Sequence, residues 1–202
     1  MTATTYPNGQ VLQSSALTPT VISTLLQTIT CWFLGINPPD FSKVRVDWQT
    51  TGQPATPLPN QDVCYLSCVP HDTEYTRVRD RTYTQVGSGP LTETWNYNKG
   101  WRISWCFYGP NAEDRARALR SATYMEYFEE ALSPHQLFPI SDPPEVIRTP
   151  ENFNAQWWER ADFYLDLYEY ITETITPGTA TSVEIKVLDS TVGLAADITV
   201  EE

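Results

Sequence analysis

The 202-residue sequence predicts an α+β fold, in which a mixed, mostly antiparallel sheet packs against two or three helices and a long β-hairpin projects from the sheet. Three observations predict this class. Apolar residues between 19 and 33 repeat at intervals of three and four, as they do on one face of a helix. Apolar and polar residues alternate at 101–108 and again at 157–171, as they do in strands that bury one face.

The strand at 101–108 and the helix after it are expected to organise the fold. The chain breaks at Gly109-Pro110, Asn111 stands where an N-cap is needed, and Glu113 and Asp114 place negative charge at the positive end of the helix dipole. The apolar faces of this strand, this helix and the strand at 157–171 supply the expected core anchors. These are Trp101, Ile103, Trp105, Phe107, Leu119, Phe163 and Leu165.

The remaining elements follow from local signals. Thr18 is the expected N-cap of the first helix, Pro19 its first residue, and Gly35 its end. After the helix that follows Pro110, a second short helix is expected at 124–132. Strands are expected at 44–48, 62–69, 183–188 and 198–200, the last two forming a closing hairpin around Gly193. Residues 1–17 show neither a period nor a cap, so they predict a flexible N-terminal arm.

Residues 75–97 predict a long hairpin with almost no apolar face. Its first strand carries tyrosine and arginine on one side, and its turn is the GSGP segment at 87–90. An isolated hairpin is marginal in water, so this one is either a solvent-exposed flap or an arm that reaches a neighbouring subunit. The second interpretation predicts a subunit interface at Arg77, Val78, Arg79, Arg81 and Tyr83.

Charge is unevenly distributed along the chain. The formal net charge is −12, and residues 126–202 contain 16 Asp and Glu but only 3 Lys and Arg. This acidity either keeps the protein soluble or repels a polyanion that must pass without binding. A dedicated nucleic-acid-binding module normally shows a concentrated basic face, so the composition weighs against that class.

The sequence predicts neither a metal site nor a cofactor. Cys31, Cys64, Cys68 and Cys106 lack C-x-x-C spacing, and no histidine stands in a local metal motif, so reduced structural thiols are expected. No stretch of about 18 apolar residues occurs, and the N-terminus lacks the basic and apolar regions of a signal peptide. We therefore expect a soluble protein that starts in the cytosol and does not contact a membrane.

Two runs are the most specific in the chain: WCFYGPN at 105–111 and FNAQWWER at 153–160. The first run belongs to a longer matching segment at 91–120, and the second to one at 153–169. Shorter matching segments are VRVDWQ at 44–49, GQP at 52–54 and DVCYL at 62–66. On these segments the chain resembles the phage neck terminator family, the tail terminators of long-tailed bacteriophages. The resemblance covers roughly residues 18–190. It makes that range the expected terminator-like domain, with 1–17 outside it and 191–202 a C-terminal strand and acidic tail.

The resemblance implies a structural virion protein without catalysis or cofactors. Members of the family close into a ring, usually of six copies, that caps the tail tube and docks to the neck or head-completion proteins. DNA passes through the ring without sequence-specific binding. The implied location is the tail and neck of the virion, after assembly in the host cytoplasm. The sequence leaves open whether the tail contracts and which neck protein is the partner.

Three alternatives stay open. A carbohydrate hydrolase would use Trp157-Trp158-Glu159 as a stacking platform beside an acid, with Asp162 or Asp166 as its second carboxylate. If 157–167 is one strand, however, Trp157 and Glu159 share the face of Phe163 and instead fill the core or its edge. A carbohydrate-binding module of a tail would use exposed aromatic residues. Another neck or head-completion protein of a phage particle is the third alternative.

The wall of the implied channel is expected to be acidic and built mainly from residues after 125. A wall that attracted phosphate would bind DNA through counterion release, whereas like charge keeps the conduit non-adhesive. The competing candidates are Arg115, Arg117 and Arg120, which would grip DNA if they lined the channel.

Overall fold

The computed structural model describes residues 2–6, 10–47, 58–85, 89, 91–140, 142–153, 155–176, 182–188 and 195–201. The chain divides into two compact units. The larger unit comprises Ser15–Asp80 and Asn96–Thr172, and the smaller comprises Met1–Ser14, Arg81–Trp95 and Glu173–Glu202.

The larger unit contains three α-helices: α1 (Pro19–Phe33), α2 (Ala112–Ala122) and α3 (Glu126–Leu132). The signals predicted for α1 are confirmed. Thr18 Oγ1 accepts a hydrogen bond from the Val21 N–H at 3.4 Å, and Pro19 occupies the first turn, where a missing N–H costs nothing. Past the end of α1, Gly35 adopts a φ of 71°, which favours glycine. In the described part of the chain, no helix combines the length and apolarity that a membrane crossing requires.

Strands make up most of the remaining described structure. In chain order they are β1 (Thr2–Thr5), β2 (Val11–Ser14), β3 (Val44–Val46), β4 (Val63–Pro70), β5 (Asp80–Thr84), β6 (Thr92–Tyr108), β7 (Leu137–Pro139), β8 (Ile147–Arg148), β9 (Glu151–Phe153), β10 (Gln156–Trp158), β11 (Arg160–Thr176), β12 (Ser182–Leu188) and β13 (Ala195–Glu201). Short 3₁₀ turns occupy Glu74–Arg77 and Ser133–His135.

The sheet of the larger unit has the strand order β11-β6-β4-β3. β4 pairs antiparallel with β6 and parallel with β3, and β7 and β8 pair antiparallel with β11. β9 and β10 form a separate antiparallel pair. The predicted α+β class, with its mixed and mostly antiparallel sheet and three helices, is confirmed.

The core lies on the face of this sheet that the helices cover. All seven expected core anchors are buried, and none is more than 2% exposed. Trp105 stacks on Phe163 with ring centroids 5.4 Å apart, and its indole N–H donates to Thr30 Oγ1 of α1 at 2.9 Å. The central strand, the neighbouring strand β11 and the first helix therefore meet at Trp105.

The turn between β6 and α2 depends on one glycine. Gly109 has a φ of 115°, and a Cβ there would lie 2.5 Å from the Gln61 carbonyl oxygen. Asn111 is the N-cap residue of α2, as predicted, but its side chain makes no capping hydrogen bond. Asn111 instead donates its backbone N–H to Asp62 Oδ1 at 3.0 Å and its Nδ2 to Asp62 Oδ2 at 2.9 Å. The carboxylate of a distant residue thus occupies the group that would otherwise cap the helix.

The predicted strand at 157–171 exists but is interrupted at Glu159. After the break, the odd-numbered residues from Ala161 to Ile171 are buried, whereas before it Trp158 is 8% exposed and Trp157 is 72% exposed. The expectation that Trp157 and Glu159 share the buried face of Phe163 is therefore wrong. The strand break shifts the alternation by one residue, which places Trp157 in solvent.

The sequence predicts a flexible arm at residues 1–17, but this segment contains the strands β1 and β2, both in the smaller unit. β1 pairs with β2, and β2 pairs with the end of β11, with Ser14 opposite Glu173. A short strand that pairs with a partner about 160 residues away in sequence gives no local signal. The predicted closing hairpin is confirmed as the antiparallel pair β12 and β13, with Ile185 opposite Ile198. Gly193 between them lies outside the described residues.

The hairpin predicted at 75–97 is only partly correct. β5 pairs with β6, but the chain before Asp80 forms the 3₁₀ turn Glu74–Arg77 rather than a strand. Thr76 Oγ1 accepts from the Thr73 N–H at 2.9 Å and lies 2.8 Å from Asp72 Oδ1. Such local side-chain bonds compete with a strand ladder and stabilise the turn. Most of the predicted GSGP turn lies outside the described residues.

Candidate subunit interface

In the smaller unit, two residues of the predicted interface share one carboxylate. Arg81 Nε lies 2.9 Å from Glu93 Oε1, and the Tyr83 hydroxyl donates to the same oxygen at 3.1 Å. The Trp95 indole N–H also donates to it, at 2.7 Å, and the Arg81 guanidinium lies over the Trp95 ring. These four side chains form a single polar cluster on the β5–β6 hairpin.

The Glu93 cluster is balanced in charge. The Trp95 N–H holds the pKa of Glu93 below its ordinary value, and the Tyr83 hydroxyl and Arg81 act in the same direction. Glu93 is therefore ionised at neutral pH and neutralises Arg81. Because that arginine already has an anionic partner within its own chain, it is a poor candidate for pairing with an acid of another subunit.

In the larger unit, Arg77 is also paired. Its Nη2 lies 2.8 Å from Asp72 Oδ2 and its Nε 3.1 Å from the same oxygen, a two-bond contact between a planar guanidinium and a carboxylate. This contact lowers the pKa of Asp72, with help from the Thr76 hydroxyl. Both side chains are largely exposed, at 71% and 65%, so solvent screens the pair and its contribution to stability is small.

Arg79 differs from the other two arginines. Its guanidinium carbon lies 3.6 Å from the centroid of the Tyr97 ring, and its Nη1 donates to the Thr76 carbonyl at 2.7 Å. Among the described residues, no carboxylate lies within ion-pair distance of it. The adjacent Val78 is 59% exposed and Tyr75 is 74% exposed, so this segment offers apolar surface beside a cation.

A pocket of about 330 Å³ opens beside Arg79, between the end of β4 and the middle of β6. Gly100 is part of the pocket wall, where the backbones of Gly100 and His71 approach each other closely. The His71 N–H donates to the Gly100 carbonyl, and a Cβ on Gly100 would lie 2.1 Å from the His71 carbonyl oxygen. Lys99 also lines the pocket, with its Nζ 4.2 Å from the centroid of the Trp101 ring.

The pocket adds a residue that the sequence analysis missed. Lys99 stands two positions before Trp101 on β6, and the sequence predicts the organising strand only from Trp101 onward. Extending that alternation backwards through Tyr97 and Lys99 would have marked the cation. The five predicted interface residues lie in different settings: Arg77 and Arg81 are paired within the chain, Val78 and Tyr83 are exposed, and Arg79 borders the pocket.

The arginines of α2 are all engaged within the chain. Arg115 pairs with Asp62 at 3.2 Å, and Arg117 pairs with Glu113 one turn earlier at 2.8 Å. Arg120 pairs with Glu145 at 3.1 Å and donates to two backbone carbonyls of the following proline-rich connection. Their positive charge is locally compensated, which weakens any attraction for phosphate.

The carboxylates considered for hydrolysis are also bound to arginine. Glu159 accepts from Arg148 at 2.7 Å, and Asp166 accepts two bonds from Arg102 at 2.8 Å. Burial raises the pKa of Asp162, but hydrogen bonds from Arg160, Cys106 and Thr149 outweigh burial and lower it overall. A general acid needs the opposite shift. The arrangement is that of structural ion pairs.

The cysteines do not form a reactive or metal-binding site. All four are free. Burial and the neighbouring Asp162 raise the pKa of Cys106 to about 12, and burial raises the pKa of Cys64 well above its ordinary value. Both are thiols at neutral pH and are poor nucleophiles. Over the described residues, no cluster of His, Cys, Asp and Glu has a geometry that would hold a metal ion.

Comparison with known proteins agrees with this structural character. No curated protein matches the sequence. A family model described as phage neck terminator protein matches residues 20–195, which is most of the chain and includes α1 after its first residue, α2, α3 and the whole sheet of the larger unit. The chain therefore belongs to the phage neck terminator protein family and is a structural protein of the phage tail and neck.

Proposed function

We propose that this protein is a tail terminator: copies of the chain close into a ring, six in number, that caps the tail tube and joins it to the neck of the head. DNA passes through the channel of the ring. The observation that carries the proposal is the family match over residues 20–195. The tail tube protein and a neck or head-completion protein are its proposed partners, and the ring is assembled in the host cytoplasm.

The arrangement of polar side chains supports a structural role without catalysis. Each carboxylate proposed for hydrolysis is held by an arginine, and the cysteines near the core are protonated. These features favour a rigid building block over an enzyme.

The proposed ring uses a surface of the larger unit that includes the segment from Arg77 to Arg79. A separate candidate surface, on the smaller unit, is the hairpin at Arg81 and Tyr83. Head-to-tail contacts between two different surfaces of one chain close into rings when the rotation allows it. Exposed apolar side chains beside charged ones, as at Val78 and Tyr83, are suited to such a contact. The two surfaces need not resemble each other, since each meets its counterpart on the next copy.

The proposed channel is a non-adhesive conduit for DNA. The net charge of −12 repels phosphate at long range, and the three arginines of α2 are neutralised within the chain. We therefore favour an acidic wall over an arginine clamp. A conduit of this kind holds the duplex by enclosure instead of by attraction.

The direct test is the state of the purified full-length protein. Native mass spectrometry should find an assembly of about 138 kDa, six times the 23.0 kDa of one chain, and negative-stain images should show rings with a central opening. A protein that stays monomeric across the micromolar range and binds glycans would overturn the proposal. It would instead support a carbohydrate-binding module, for which the single favourable observation is Trp157, 72% exposed on β10.

A further inference from the structure

The pocket beside Arg79 carries more positive charge than its own chain compensates. Its cations are Arg79 and Lys99, and neither has a carboxylate within ion-pair distance among the described residues. Asp72 is the acidic residue of the lining, and its carboxylate is already bonded to Arg77 and Thr76. His71 faces Asp166 instead. Two cations are therefore available to an external anion.

The aromatic rings beneath these cations orient them without neutralising them. Arg79 lies over Tyr97 and Lys99 over Trp101, and each ring attracts its cation through the negative face of the π system. The cations are thereby held at fixed points on the pocket. A site whose positive groups are placed in advance binds an anion at a lower entropic cost than mobile surface lysines do.

Helix α3 presents the opposite charge. Glu126, Glu129 and Glu130 are exposed, and in the described part of the chain none of them has an ion-pair partner. Glu126 and Glu130 are four positions apart on one helix face, a spacing at which like charges repel. Glu130 also lies beyond the first turn, toward the end of the helix where the dipole disfavours negative charge, whereas Glu126 and Glu129 stand in the first turn. A cation from outside would relieve this local cost.

Apolar side chains accompany both charged surfaces. Tyr124, Met125 and Tyr127 are 58%, 51% and 74% exposed at the start of α3, while Phe128 and Leu132 bury its other face in the core. Beside the pocket, Tyr75 and Val78 are 74% and 59% exposed. Both surfaces therefore combine unpartnered charge of one sign with exposed aromatic or aliphatic groups, which is the composition of protein–protein contacts.

Duplex DNA is a weaker candidate for the pocket. Binding of DNA rests on a concentrated basic face, whereas every copy that brings these two cations to the ring also brings a net charge of −12. The acidic helix of an identical chain is present at the same concentration as the pocket and matches it in charge. The occupant that the observations favour is a second copy.

We propose that Arg79 and Lys99 of one copy bind the carboxylates of α3, from Glu126, Glu129 and Glu130, on the next copy. This inference rests on the proposed ring and specifies its head-to-tail contact. The two surfaces are distinct: the pocket lies between β4 and β6, whereas α3 leads through a 3₁₀ turn into β7 at β11. Contacts between distinct surfaces link copies head to tail, and they close into a ring where the rotation between neighbours allows it.

A charge exchange tests the contact. One variant carries Arg79→Glu and Lys99→Glu, and the other carries Glu126→Lys and Glu130→Lys. Each alone opposes like charges, so we expect each to remain monomeric at concentrations at least about tenfold above those at which the wild type assembles. Mixed in equal amounts, the two variants should form rings in which they alternate, and native mass spectrometry should find them in a one-to-one ratio.

The controls separate charge from position. Lys43→Glu with Arg117→Glu makes the same change in net charge on exposed side chains elsewhere and should leave the ring intact. Unchanged thermal melting of each variant shows that its fold is preserved. If the wild type itself forms no ring, the proposed function fails. If the wild type forms rings and either charge-reversed variant still does, or the mixture does not recover them, the contact proposed here is wrong. A first variant that keeps its rings but loses DNA binding would reassign the pocket to phosphate.

Discussion

The indole N–H of Trp101 donates to the carboxylate of Glu169 at 2.7 Å in the interior of the larger unit. Trp101 is fully buried and Glu169 is 1% exposed. The other carboxylate oxygen of Glu169 accepts the backbone N–H of Leu17, just before α1. One buried side chain thus joins β6, β11 and the segment that leads into the first helix.

Replacing Glu169 should destabilise the protein. In Glu169→Ala the buried Trp101 indole N–H and the half-buried Leu17 N–H lose their acceptor, and a buried unsatisfied donor costs roughly 1 to 3 kcal/mol. Urea unfolding followed by tryptophan fluorescence should show a lower midpoint. Glu145→Ala, which removes a 76% exposed carboxylate, is the matched control and should leave the free energy of unfolding within about 0.5 kcal/mol of the wild type. Equal midpoints for the two variants would contradict the role assigned to Glu169.

Trp105 should be the most costly aromatic residue to remove. It is 1% exposed, stacks on Phe163 and donates to Thr30, so Trp105→Ala should lower the free energy of unfolding by about 3 to 5 kcal/mol. Trp157→Ala removes the same side chain at a site that is 72% exposed and should be nearly neutral. A soluble Trp105→Ala protein with an unchanged melting temperature would refute the central position of β6.

Stability should fall at acid pH in part through Asp62. Burial raises the pKa of Asp62, but the bonds from Asn111 and Arg115 outweigh burial, so the folded pKa lies below the ordinary value of 3.8. A lowered folded pKa means that the stabilisation is complete above the unfolded pKa and is lost as the pH falls through the folded one. Removing the carboxylate in Asp62→Asn should cost roughly 1 to 3 kcal/mol at pH 7.

The pH dependence provides the check on Asp62. The difference in unfolding free energy between wild type and Asp62→Asn should shrink below about pH 4, where the wild-type carboxylate becomes protonated. A difference that stays constant from neutral to strongly acidic pH would show that the charge of Asp62 contributes nothing. Glu145→Gln, which changes a 76% exposed partner of Arg120, should show almost no effect at any pH.

The assembled ring should bind DNA weakly. Because Arg115, Arg117 and Arg120 are paired within the chain, a titration with duplex DNA at low salt, where attraction is least screened, should show no binding in the micromolar range. Micromolar or tighter binding that disappears when these three residues are changed to alanine would replace the acidic conduit with an arginine clamp.

The elements with a local period could be predicted from the sequence. Thr18, Pro19 and an apolar stripe predict α1, and four apolar residues at period two predict β6. In both cases the residues of the buried face are close together in the sequence. The family resemblance likewise rests on short contiguous runs around Gly109 and Trp157. These signals required no knowledge of distant contacts.

What the sequence did not predict depends on long-range partners. Asn111 is the N-cap residue that the sequence predicts, but its side chain bonds to Asp62, which only the fold brings to it. β2 has no period because its ladder with β11 is what stabilises it. The alternation that joins Trp157 to Phe163 is interrupted by a break at Glu159 that no local residue marks. In the candidate interface, Arg77 and Arg81 form ion pairs with Asp72 and Glu93 of their own chain, whereas Arg79 does not. This distinction depends on where Asp72 and Glu93 lie in the fold.

The most direct measurement of the central claim is the location of this protein on the phage particle. Antibodies raised against the purified chain and coupled to gold should label the junction of head and tail in electron micrographs of intact virions. The same label should remain at one end of isolated tails, because a terminator stays with the tube that it caps. Label distributed over the capsid or at the distal tip, or particles that assemble fully without the chain, would contradict a role in the neck.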